Sequence, residues 1–293
     1  MDLAISPLNP ESVPPPSAIL LAAGKGTRMG SDLPKVLHPV ADRPMLRWVV
    51  DACFDAGVER CVVVVGYRGD EVRRALADDP RCVFVDQTQQ LGTAHAADMA
   101  RPIFENQPAG DVFVLAGDGP LIRAQTLARL LEVHRRTKAA ATLATAVLDD
   151  PSGYGRVLRT GSSGSGGNSG GASGGGFDRI VEQKDATPAQ LAVREVNPSY
   201  YCFRSDELFP TLAEVSNTNQ QGEYYLTDVP GLLRQQGKTV TLVDAVPPQD
   251  VLSINTPEHL AAVDQILRAR LGSAPTPAAA PGKPAGPSAG APS

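Results

Sequence analysis

The first half of the chain alternates short apolar segments with amphipathic ones. Residues 18–22, 61–65 and 112–116 are apolar on both faces, as expected for strands buried at the centre of a parallel sheet. Residues 45–56 and 126–137 carry apolar side chains at helical spacing. Repeated β-α-β units favour a mixed, mainly parallel sheet with helices on both faces and right-handed crossovers. The sequence therefore predicts an α/β fold whose ligands bind beyond the carboxyl ends of the strands.

Three segments have compositions that favour disorder. Residues 1–16 end in three prolines, residues 161–176 are almost entirely Gly and Ser, and residues 272–293 alternate Pro, Ala and Gly. Such segments bury too little apolar surface to offset the entropy lost on ordering. We therefore expect one folded domain over residues 17–271, with a disordered arm before it and a disordered tail after it. The Gly/Ser segment should be a flexible surface loop within a hairpin.

The charge and composition of the chain limit its partners. The formal net charge is -5, so the surface as a whole does not attract nucleic acid or anionic membranes, and a phosphate ligand needs a local group of basic side chains. We expect no membrane span and no signal peptide, and hence a cytoplasmic protein. The cysteines stand in apolar stretches without a CxxC pair, which favours buried thiols over zinc ligands or disulfides. They are Cys53, Cys61, Cys82 and Cys202.

A glycine-rich segment follows the first predicted strand. Residues 21–30 read Leu-Ala-Ala-Gly-Lys-Gly-Thr-Arg-Met-Gly. Glycines allow backbone N–H groups to turn toward an anion, and Arg28 and Lys35 add the positive charge that phosphate requires. Lys25 is not followed by Ser or Thr, as a Walker A loop requires, and Met29 stands where the dinucleotide fingerprint needs a third glycine. A solvated glycine-rich turn is the alternative, but the full string through Lys35 favours phosphate binding.

These residues also resemble a known family. Residues 21–29, together with Leu-Pro-Lys-Val-Leu-His at 33–38, resemble the opening of the bacterial N-acetylglucosamine-1-phosphate uridyltransferases, the pyrophosphorylase half of a bifunctional enzyme. The resemblance covers nearly all of the predicted domain. It implies a Rossmann-like nucleotidyltransferase fold, the substrates UTP and a sugar 1-phosphate, and Mg²⁺ as cofactor. It also implies that Arg28 and Lys35 are the catalytic residues.

A second motif follows the predicted strand at residues 83–85. Gln87 offers an amide with both donor and acceptor, as a base-reading site needs, and a Gly-Thr turn follows at Gly92 and Thr93. A polar loop with Thr93 capping the next helix is an equal alternative, and His95 is better explained by packing or capping than by catalysis. In the family, this string holds the uracil base. The resemblance implies nucleotide contacts from Leu21, Ala22, Ala23, Gly24, Lys35, Gln87, Gly92 and Thr93.

The candidate metal ligands follow the fourth predicted strand and precede the last helix. Asp118 stands directly after residues 112–116, where a carboxylate is well placed to hold Mg²⁺, an ion that needs one or two protein ligands. An Asp-Gly-Pro turn explains the same residues without a metal. Thr256 and Pro257 read as the N-cap and first residue of the last helix, which leaves Asn255 free. The resemblance implies that Asp118 and Asn255 bind Mg²⁺.

The family pattern also implies a substrate site in the second half of the chain, formed by Gly155, Glu182, Asn197 and Asn255. Without the resemblance, these are ordinary polar groups of loops and strand edges. A Gly-Glu-Tyr-Tyr string at residues 222–225 resembles a family segment near the sugar. The chain departs from the family pattern at Ala116 and Gly119, which replace Tyr and Val, and at residues 197–199, where Asn-Pro-Ser replaces Asn-Thr-Gly. The last departure bears on the identity of the sugar.

We expect direct displacement at the α-phosphorus of UTP, because the attacking phosphate is already an anion and no Ser/His/Asp set is evident. The alternatives are a different nucleotide or sugar 1-phosphate, and a sensor that binds nucleotide-sugars without turnover. The bifunctional family continues into a hexapeptide-repeat β-helix that acetylates glucosamine 1-phosphate. No such repeat is evident here, so acetyltransferase activity is not expected. The oligomeric state is left open.

Overall fold

The computed structural model describes residues 14–161 and 175–272. Within these ranges, the strands form one ten-stranded sheet and one two-stranded ribbon. The strands are β1 (Ser17–Ala22), β2 (Pro39–Val40), β3 (Arg43–Pro44), β4 (Arg60–Val65), β5 (Cys82–Asp86), β6 (Asp111–Ala116), β7 (Ala141–Val147), β8 (Gly155–Arg159), β9 (Phe177–Val181), β10 (Glu195–Asn197), β11 (Tyr200–Arg204) and β12 (Val240–Asp244). The α-helices are α1 (Met45–Asp55), α2 (Gly69–Ala75), α3 (Thr93–Asp98), α4 (Arg101–Phe104), α5 (Ala124–Thr137), α6 (Pro188–Leu191), α7 (Ser205–Leu212), α8 (Val229–Gln235) and α9 (Pro257–Leu271).

The large sheet joins a parallel block to a mostly antiparallel block. Its strand order is β5-β4-β1-β6-β11-β7-β10-β8-β9, and β12 pairs in parallel with β7. In the parallel block, Leu20 of β1 pairs with Val63 of β4 on one side and with Leu115 of β6 on the other. β11 connects the two blocks by antiparallel pairing with β6 and β7. The predicted α/β fold with a mixed sheet is confirmed, and the strands predicted in the first half of the chain form its parallel block.

Helices cover both faces of the sheet and enclose two apolar cores. Successive residues of β1 point to opposite faces: Leu20 belongs to the core beneath α1, α5 and α9, whereas Ile19 belongs to the core beneath α3, α7 and α8. Both side chains are fully buried, and such burial contributes roughly 1.5–3 kcal/mol for each. Because residues 18–22 of β1 are apolar and pack on both faces of the sheet, this part of the strand has no position for a polar side chain. Polar groups that act on a ligand must therefore lie in the loop after it.

Parts of the predicted organisation lie outside the described residues. These are residues 1–13, 162–174 and 273–293, so the expected arm, flexible loop and tail stay predictions. The predicted hairpin is confirmed, because β8 and β9 pair antiparallel on either side of the Gly/Ser segment. The four cysteines are buried free thiols, as the sequence indicated. In residues 14–161 and 175–272, no helix combines the length and apolarity that a membrane span requires.

The loop between β5 and α3 is fixed to a distant segment by three hydrogen bonds. Tyr224 N donates to Leu91 O (2.8 Å) and Ala94 N donates to Tyr224 O (2.8 Å). Leu226 N donates to the Thr93 hydroxyl (2.9 Å). Thr93 is therefore not the N-cap of α3, as one alternative held: the helix begins at Thr93 itself, and its hydroxyl bonds another segment. The β5–α3 loop and residues 224–226 are thus joined by hydrogen bonds from main chain to main chain and from main chain to side chain.

Gly92 lies at the centre of this contact between main chains. Its φ is +124°, a conformation that side-chain-bearing residues rarely adopt. A Cβ atom at this position would lie 2.6 Å from Tyr224 N and closer still to Tyr224 O. Glycine is therefore required here both by the backbone conformation and by the close approach of the neighbouring chain.

Gly92→Ala should destabilise the protein more than Gly237→Ala. Gly237 also has a positive φ (+79°), but a Cβ there would meet no atom within 4 Å, so its substitution costs backbone strain of about 1–2 kcal/mol. At Gly92, overlap with Tyr224 should add about 1–3 kcal/mol. Urea unfolding of both variants measures the difference in free energy of unfolding. Equal losses would show that the two main chains are not in tight contact.

Candidate functional site

A polar cleft opens at the carboxyl ends of β1, β4 and β5. Its volume is about 780 Å³, within the ~300–1,000 Å³ range of small-molecule sites. The glycine-rich loop lines one side and the β5–α3 loop the other, including Gly24, Arg28, Lys35, Tyr67 and Gln87. Because parallel strands end at one edge of the sheet, loops that are distant in the chain converge here. The cleft therefore joins the predicted phosphate-binding loop to the predicted base-binding loop.

Within the glycine-rich loop, Gly26 makes room for Lys35. Gly26 has a φ of +69°, and a Cβ there would lie 2.6 Å from the Cβ of Lys35. The loop then forms a short 3₁₀ turn that buries Met29 and leaves Arg28 exposed. A second 3₁₀ turn begins at Lys35. The loop thus folds so that the stem of the Lys35 side chain packs against Gly26.

Four predicted site residues meet at one point beside the cleft. The Lys35 ammonium donates to the Asp118 carboxylate and to Asn255 Oδ1 (2.8 Å). Arg28 Nη2 also donates to Asn255 Oδ1 (2.9 Å). Asp118 and Asn255 are held side by side by the main chain, because Ile254 N donates to Asp118 O (3.0 Å). Residues from three distant parts of the sequence therefore form one cluster of two cations and two oxygen ligands.

The oxygen pair suits a divalent cation. Asp118 Oδ2 and Asn255 Oδ1 both lie within hydrogen-bonding distance of one ammonium nitrogen, so they converge on a single positive charge. In the described part of the chain, no group of three or more His, Cys, Asp or Glu side chains is arranged to hold a metal ion. A metal bound here would thus take two protein oxygens and the rest from ligand phosphates and water, a coordination typical of Mg²⁺.

Gln87 faces the cleft with a fixed amide. It is 3% exposed, and its Nε2 donates to Gly92 O (3.1 Å) and lies 2.9 Å from His95 Nδ1. A carbonyl oxygen accepts hydrogen bonds but does not donate them, so the amide nitrogen must face Gly92. His95 Nδ1 then accepts the second N–H, which places the ring proton on Nε2. This arrangement leaves Gln87 Oε1 as an acceptor for a ligand.

His95 is the residue that sequence reasoning missed. Packing or capping was the expected role, whereas the structure pairs its ring with Gln87. A single polar ring within the Ala-rich α3 helix was the available signal. Gln87 and His95 lie on opposite sides of a loop. Their contact depends on how that loop folds around Gly92, which the local sequence does not show.

The predicted sugar-site residues come together through strand register. Asn197 of β10 pairs with Gly155 of β8. A Cβ on Gly155 would lie 3.0 Å from Ile180 Cγ2 and 3.5 Å from Glu182 Oε1, so Gly155 lies directly beside the Glu182 carboxylate. Asn255 lies elsewhere: its hydrogen bonds are with the cation cluster and with Ser253. The structure therefore groups three of the four predicted substrate residues and places the fourth, Asn255, beside Asp118 and the cations Arg28 and Lys35.

The Glu182 carboxylate is half-buried and carries a perturbed pKa. Burial raises its pKa above the ordinary value of 4.5, a hydrogen bond from Thr227 opposes that shift, and the neighbouring Asp228 charge adds to it. A carboxylate whose charge is poorly solvated in the free protein gains from hydroxyl donors supplied by a ligand. Glu182 is thus suited to accept hydrogen bonds from sugar hydroxyl groups.

The departure at residues 197–199 keeps the backbone turn. Ser199 has a φ of +63°, a left-handed conformation that glycine, the residue of the family pattern here, can adopt without steric cost. Asn197 holds the turn, because its side-chain oxygen accepts from Ser199 N (3.2 Å) and its side-chain nitrogen donates to the Tyr201 hydroxyl (2.6 Å). Asn197 is 4% exposed. The Asn197 amide therefore holds the turn in this part of the site. Ser199 completes that turn in a backbone conformation that is strained for a residue with a side chain.

The departure at Gly119 also has a physical reason. A Cβ at Gly119 would lie 3.1 Å from the Tyr200 hydroxyl, so there is no space for the valine of the family pattern. Tyr200 is fully buried and its hydroxyl donates to Asp250 O (3.3 Å). Burial raises the pKa of Tyr200, so it remains a neutral donor. In this chain, the tyrosine ring fills the space behind the Asp118 loop.

Three predicted nucleotide residues, Leu21, Ala22 and Ala23, directly precede the residues that line the cleft and do not line it themselves. Leu21 and Ala22 are the last residues of β1. Leu21 O accepts from Gly117 N (3.0 Å), and Ala23 O accepts from Tyr67 N (3.1 Å). These bonds tie the end of β1 to the loops after β6 and β4. Residues 24–28 line the cleft. The glycine-rich segment is thus held to the neighbouring loops at its start and is open to the cleft along residues 24–28.

Curated relatives align with this chain over most of its length. The chain is 46% identical to "Bifunctional protein GlmU" of Pelotomaculum thermopropionicum over 255 residues. It is 44% identical to the protein of the same name from Brevibacillus brevis over 254 residues. Each alignment covers 87% of this chain and 52% of the relative, so the chain spans about half the length of the curated relatives it matches. The resemblance to a bifunctional bacterial family that the motifs indicated is confirmed.

The fold has a counterpart among solved structures. The crystal structure of UDP-glucose pyrophosphorylase complexed with UDP-glucose superposes with a TM-score of 0.69, covering 88% of this chain and 100% of that chain at 17% identity. At that identity the likeness shows the fold alone. The family model of the MobA-like NTP transferase domain matches residues 18–228, from β1 to the end of the segment that contacts the β5–α3 loop. The chain therefore belongs to the MobA-like NTP transferase domain family.

Proposed function

We propose that this chain transfers the uridylyl group of UTP to N-acetylglucosamine 1-phosphate, which yields UDP-N-acetylglucosamine and pyrophosphate. The observation that carries the proposal is the convergence of Arg28, Lys35, Asp118 and Asn255 beside a nucleotide-sized cleft. The motif resemblance to bacterial uridyltransferases supplies the substrates. The relatives named "Bifunctional protein GlmU" support the same assignment.

The reaction is a direct in-line displacement. An oxygen of the sugar 1-phosphate attacks the α-phosphorus of UTP, the bond from that phosphorus to the bridging oxygen breaks, and pyrophosphate leaves with the electron pair. The attacking oxygen is anionic at neutral pH, so no side-chain base is needed. Catalysis rests on alignment and on neutralisation of charge. Arg28 and the loop N–H groups receive the pyrophosphate, and Lys35 stabilises charge on the triphosphate.

In this proposal, Asp118 and Asn255 hold Mg²⁺. Their oxygens already converge on one positive charge, and the ion needs few further protein ligands when phosphates are present. Bound there, Mg²⁺ neutralises negative charge on the phosphate oxygens. Lys35 exchanges its two oxygen partners for phosphate oxygens, so its ammonium stays paired in both states.

Gln87 provides a basis for the choice of base. Its Oε1 is the free acceptor, because its nitrogen is engaged by Gly92 and His95. The N3–H group of uracil is a donor and pairs with this oxygen. Cytosine carries an acceptor, N3, at the same ring position, so N3 and Gln87 Oε1 would face each other as two acceptors. Such unpaired polar groups cost binding free energy in a closed site.

The purified chain should release pyrophosphate from UTP when N-acetylglucosamine 1-phosphate and Mg²⁺ are present. A coupled pyrophosphate assay across a panel of sugar 1-phosphates and nucleotides measures this directly. A higher kcat/KM for another sugar or nucleotide would contradict the proposed substrates. Tight UTP binding in calorimetry without turnover on any acceptor would instead identify a nucleotide-sugar sensor.

Lys35→Met should lower turnover but tighten the binding of Mn²⁺ alone. Loss of one stabilising charge should cost about 10²–10³-fold in kcat. The same change removes the ammonium that bonds Asp118 and Asn255, so Mn²⁺ affinity should rise by about tenfold, because a like charge at contact distance no longer competes. The electron paramagnetic resonance signal of free Mn²⁺ measures this affinity.

Two variants control for the loss of charge. Lys25→Met removes an ammonium that lines the same cleft but stacks over the Tyr67 ring at 5.1 Å, and it should leave Mn²⁺ affinity unchanged. Asp118→Ala should lose both turnover and Mn²⁺ binding. Unchanged Mn²⁺ affinity in Lys35→Met would show that the ammonium and the metal do not share a site.

Glu182→Gln should stabilise the protein at neutral pH while impairing sugar binding. Because the folded pKa of Glu182 is raised, folding stability falls as the pH rises from the ordinary pKa through the raised one. The variant lacks this loss, so its Tm should exceed that of the wild type at about pH 8 and match it below about pH 4. The KM for the sugar 1-phosphate should rise about tenfold, because a charged acceptor becomes neutral.

Glu132→Gln is the control for this pH effect. Glu132 is exposed on α5, and hydrogen bonding to Arg129 lowers its pKa, so its substitution should leave the Tm at about pH 8 equal to or slightly below that of the wild type. A Tm difference for Glu182→Gln that is independent of pH would contradict the role assigned to burial.

A further inference from the structure

A buried carboxylate lies behind the oxygen pair of Asp118 and Asn255. Asp250 is 1% exposed and lies in a short 3₁₀ turn. Its two oxygens accept hydrogen bonds from the guanidinium groups of Arg123 and Arg270, one of them from Arg123 Nη2 at 3.3 Å. A buried carboxylate that binds two cations is fully compensated, and its geometry is stiff because the surroundings have a low dielectric constant.

The three charged residues connect the two segments that carry the oxygen ligands. Arg123 ends the loop that contains Asp118, and Asp250 begins the segment that leads to Asn255. Arg270 lies in the last turn of α9, the helix that follows Asn255. The ion-paired group therefore fixes the end of the first segment to the beginning of the second.

Two hydrogen bonds to main-chain oxygens reinforce this connection, one from a side chain and one from the main chain. Arg270 Nη1 donates to Leu121 O (3.1 Å), within the loop that follows Asp118. Ile254 N donates to Asp118 O (3.0 Å), directly before Asn255. The segments are thus joined beside the ligands by the backbone and behind them by the arginines.

We propose that Asp250, through Arg123 and Arg270, sets the separation of the Asp118 and Asn255 oxygens and so acts as a positioning residue for the divalent cation. The inference rests on the proposed function, in which that cation is required. Mg²⁺ and Mn²⁺ demand well-defined oxygen geometry, and residues that hold metal ligands from behind affect affinity strongly. Asp250 itself bonds guanidinium groups and a tyrosine hydroxyl, and it lies behind the substrate cleft.

The test compares Asp250→Asn with Asp111→Asn in the full chain. Asp111 is also buried (7% exposed) and accepts from Arg135 Nε (2.6 Å). It begins β6, whereas Asp118 follows the other end of that strand. Asp250→Asn leaves two arginines and Asp111→Asn leaves one arginine without this counter-charge, and both substitutions should lower stability. Mn²⁺ affinity, measured by electron paramagnetic resonance well below the Tm of each variant, separates a local effect from a general one.

Asp250→Asn should weaken Mn²⁺ binding about 10–100-fold. It should also raise the Mg²⁺ concentration for half-maximal turnover by a similar factor. The KM of Asp250→Asn for UTP at saturating Mg²⁺ should change by no more than about twofold, and so should the Mn²⁺ affinity of Asp111→Asn. Wild-type Mn²⁺ affinity in Asp250→Asn would overturn the proposal, and so would an equal loss of affinity in Asp111→Asn.

Arg270→Met provides a second measurement that does not depend on the folding of Asp250→Asn. It leaves Asp250 paired with Arg123 and should weaken Mn²⁺ binding about tenfold; unchanged affinity would contradict the positioning role. The wild type separates the two proposals. A wild-type chain that binds Mn²⁺ but releases no pyrophosphate would contradict the proposed function and leave the comparison of variants valid. An active wild type with normal Mn²⁺ affinity in both variants would overturn the positioning role alone.

Discussion

The proposed site depends on one electrostatic contact, in which the Lys35 ammonium bonds the oxygens of both Asp118 and Asn255. These partners are 83 and 220 positions away in the chain, so the contact exists because the fold brings three loops to one edge of the sheet. Side chains of Lys35 and Asp118 are 15% and 20% exposed, which weakens screening by water. An oxygen pair that binds an ammonium group in this setting also suits a metal cation, and that property is the link between the free protein and the metal-dependent reaction we propose.

The parallel block makes this contact possible. β1 and β6 are neighbours in parallel register, so the glycine-rich loop and the Asp118 loop leave the sheet side by side. β5 lies two strands from β1 and brings Gln87 to the far side of the cleft. Burial of the strands fixes the base of the cleft, and its two loops make close contacts at Gly26, with the Lys35 side chain, and at Gly92, with the Tyr224 main chain. The base of the site is thus closely packed, and its charged side chains lie above it in the loops.

The sequence was sufficient for the parts of the fold that depend on local patterns. Apolar strands, helix spacing and the glycine-rich loop predicted the parallel block, and Thr256 caps the last helix as expected. The pairing of β11 between β6 and β7 and the ion-paired group around Asp250 depend on tertiary register, which local patterns do not encode. Thr93 and His95 show the same limit, because their partners come from another segment or across a loop turn. The proximity of Arg28 to Asn255 followed from the family pattern, not from periodicity.

The most direct test of the central claim is a crystal structure of the chain with Mn²⁺ and a non-hydrolysable UTP analogue, with the metal located by its anomalous signal. We expect the Mn²⁺ peak to lie between the Asp118 and Asn255 oxygens, at the position that the Lys35 ammonium takes in the free protein, and Lys35 to bond the phosphates. A Mn²⁺ peak elsewhere, with Lys35 still bonded to Asp118 and Asn255, would contradict the claim that one oxygen pair serves both cations.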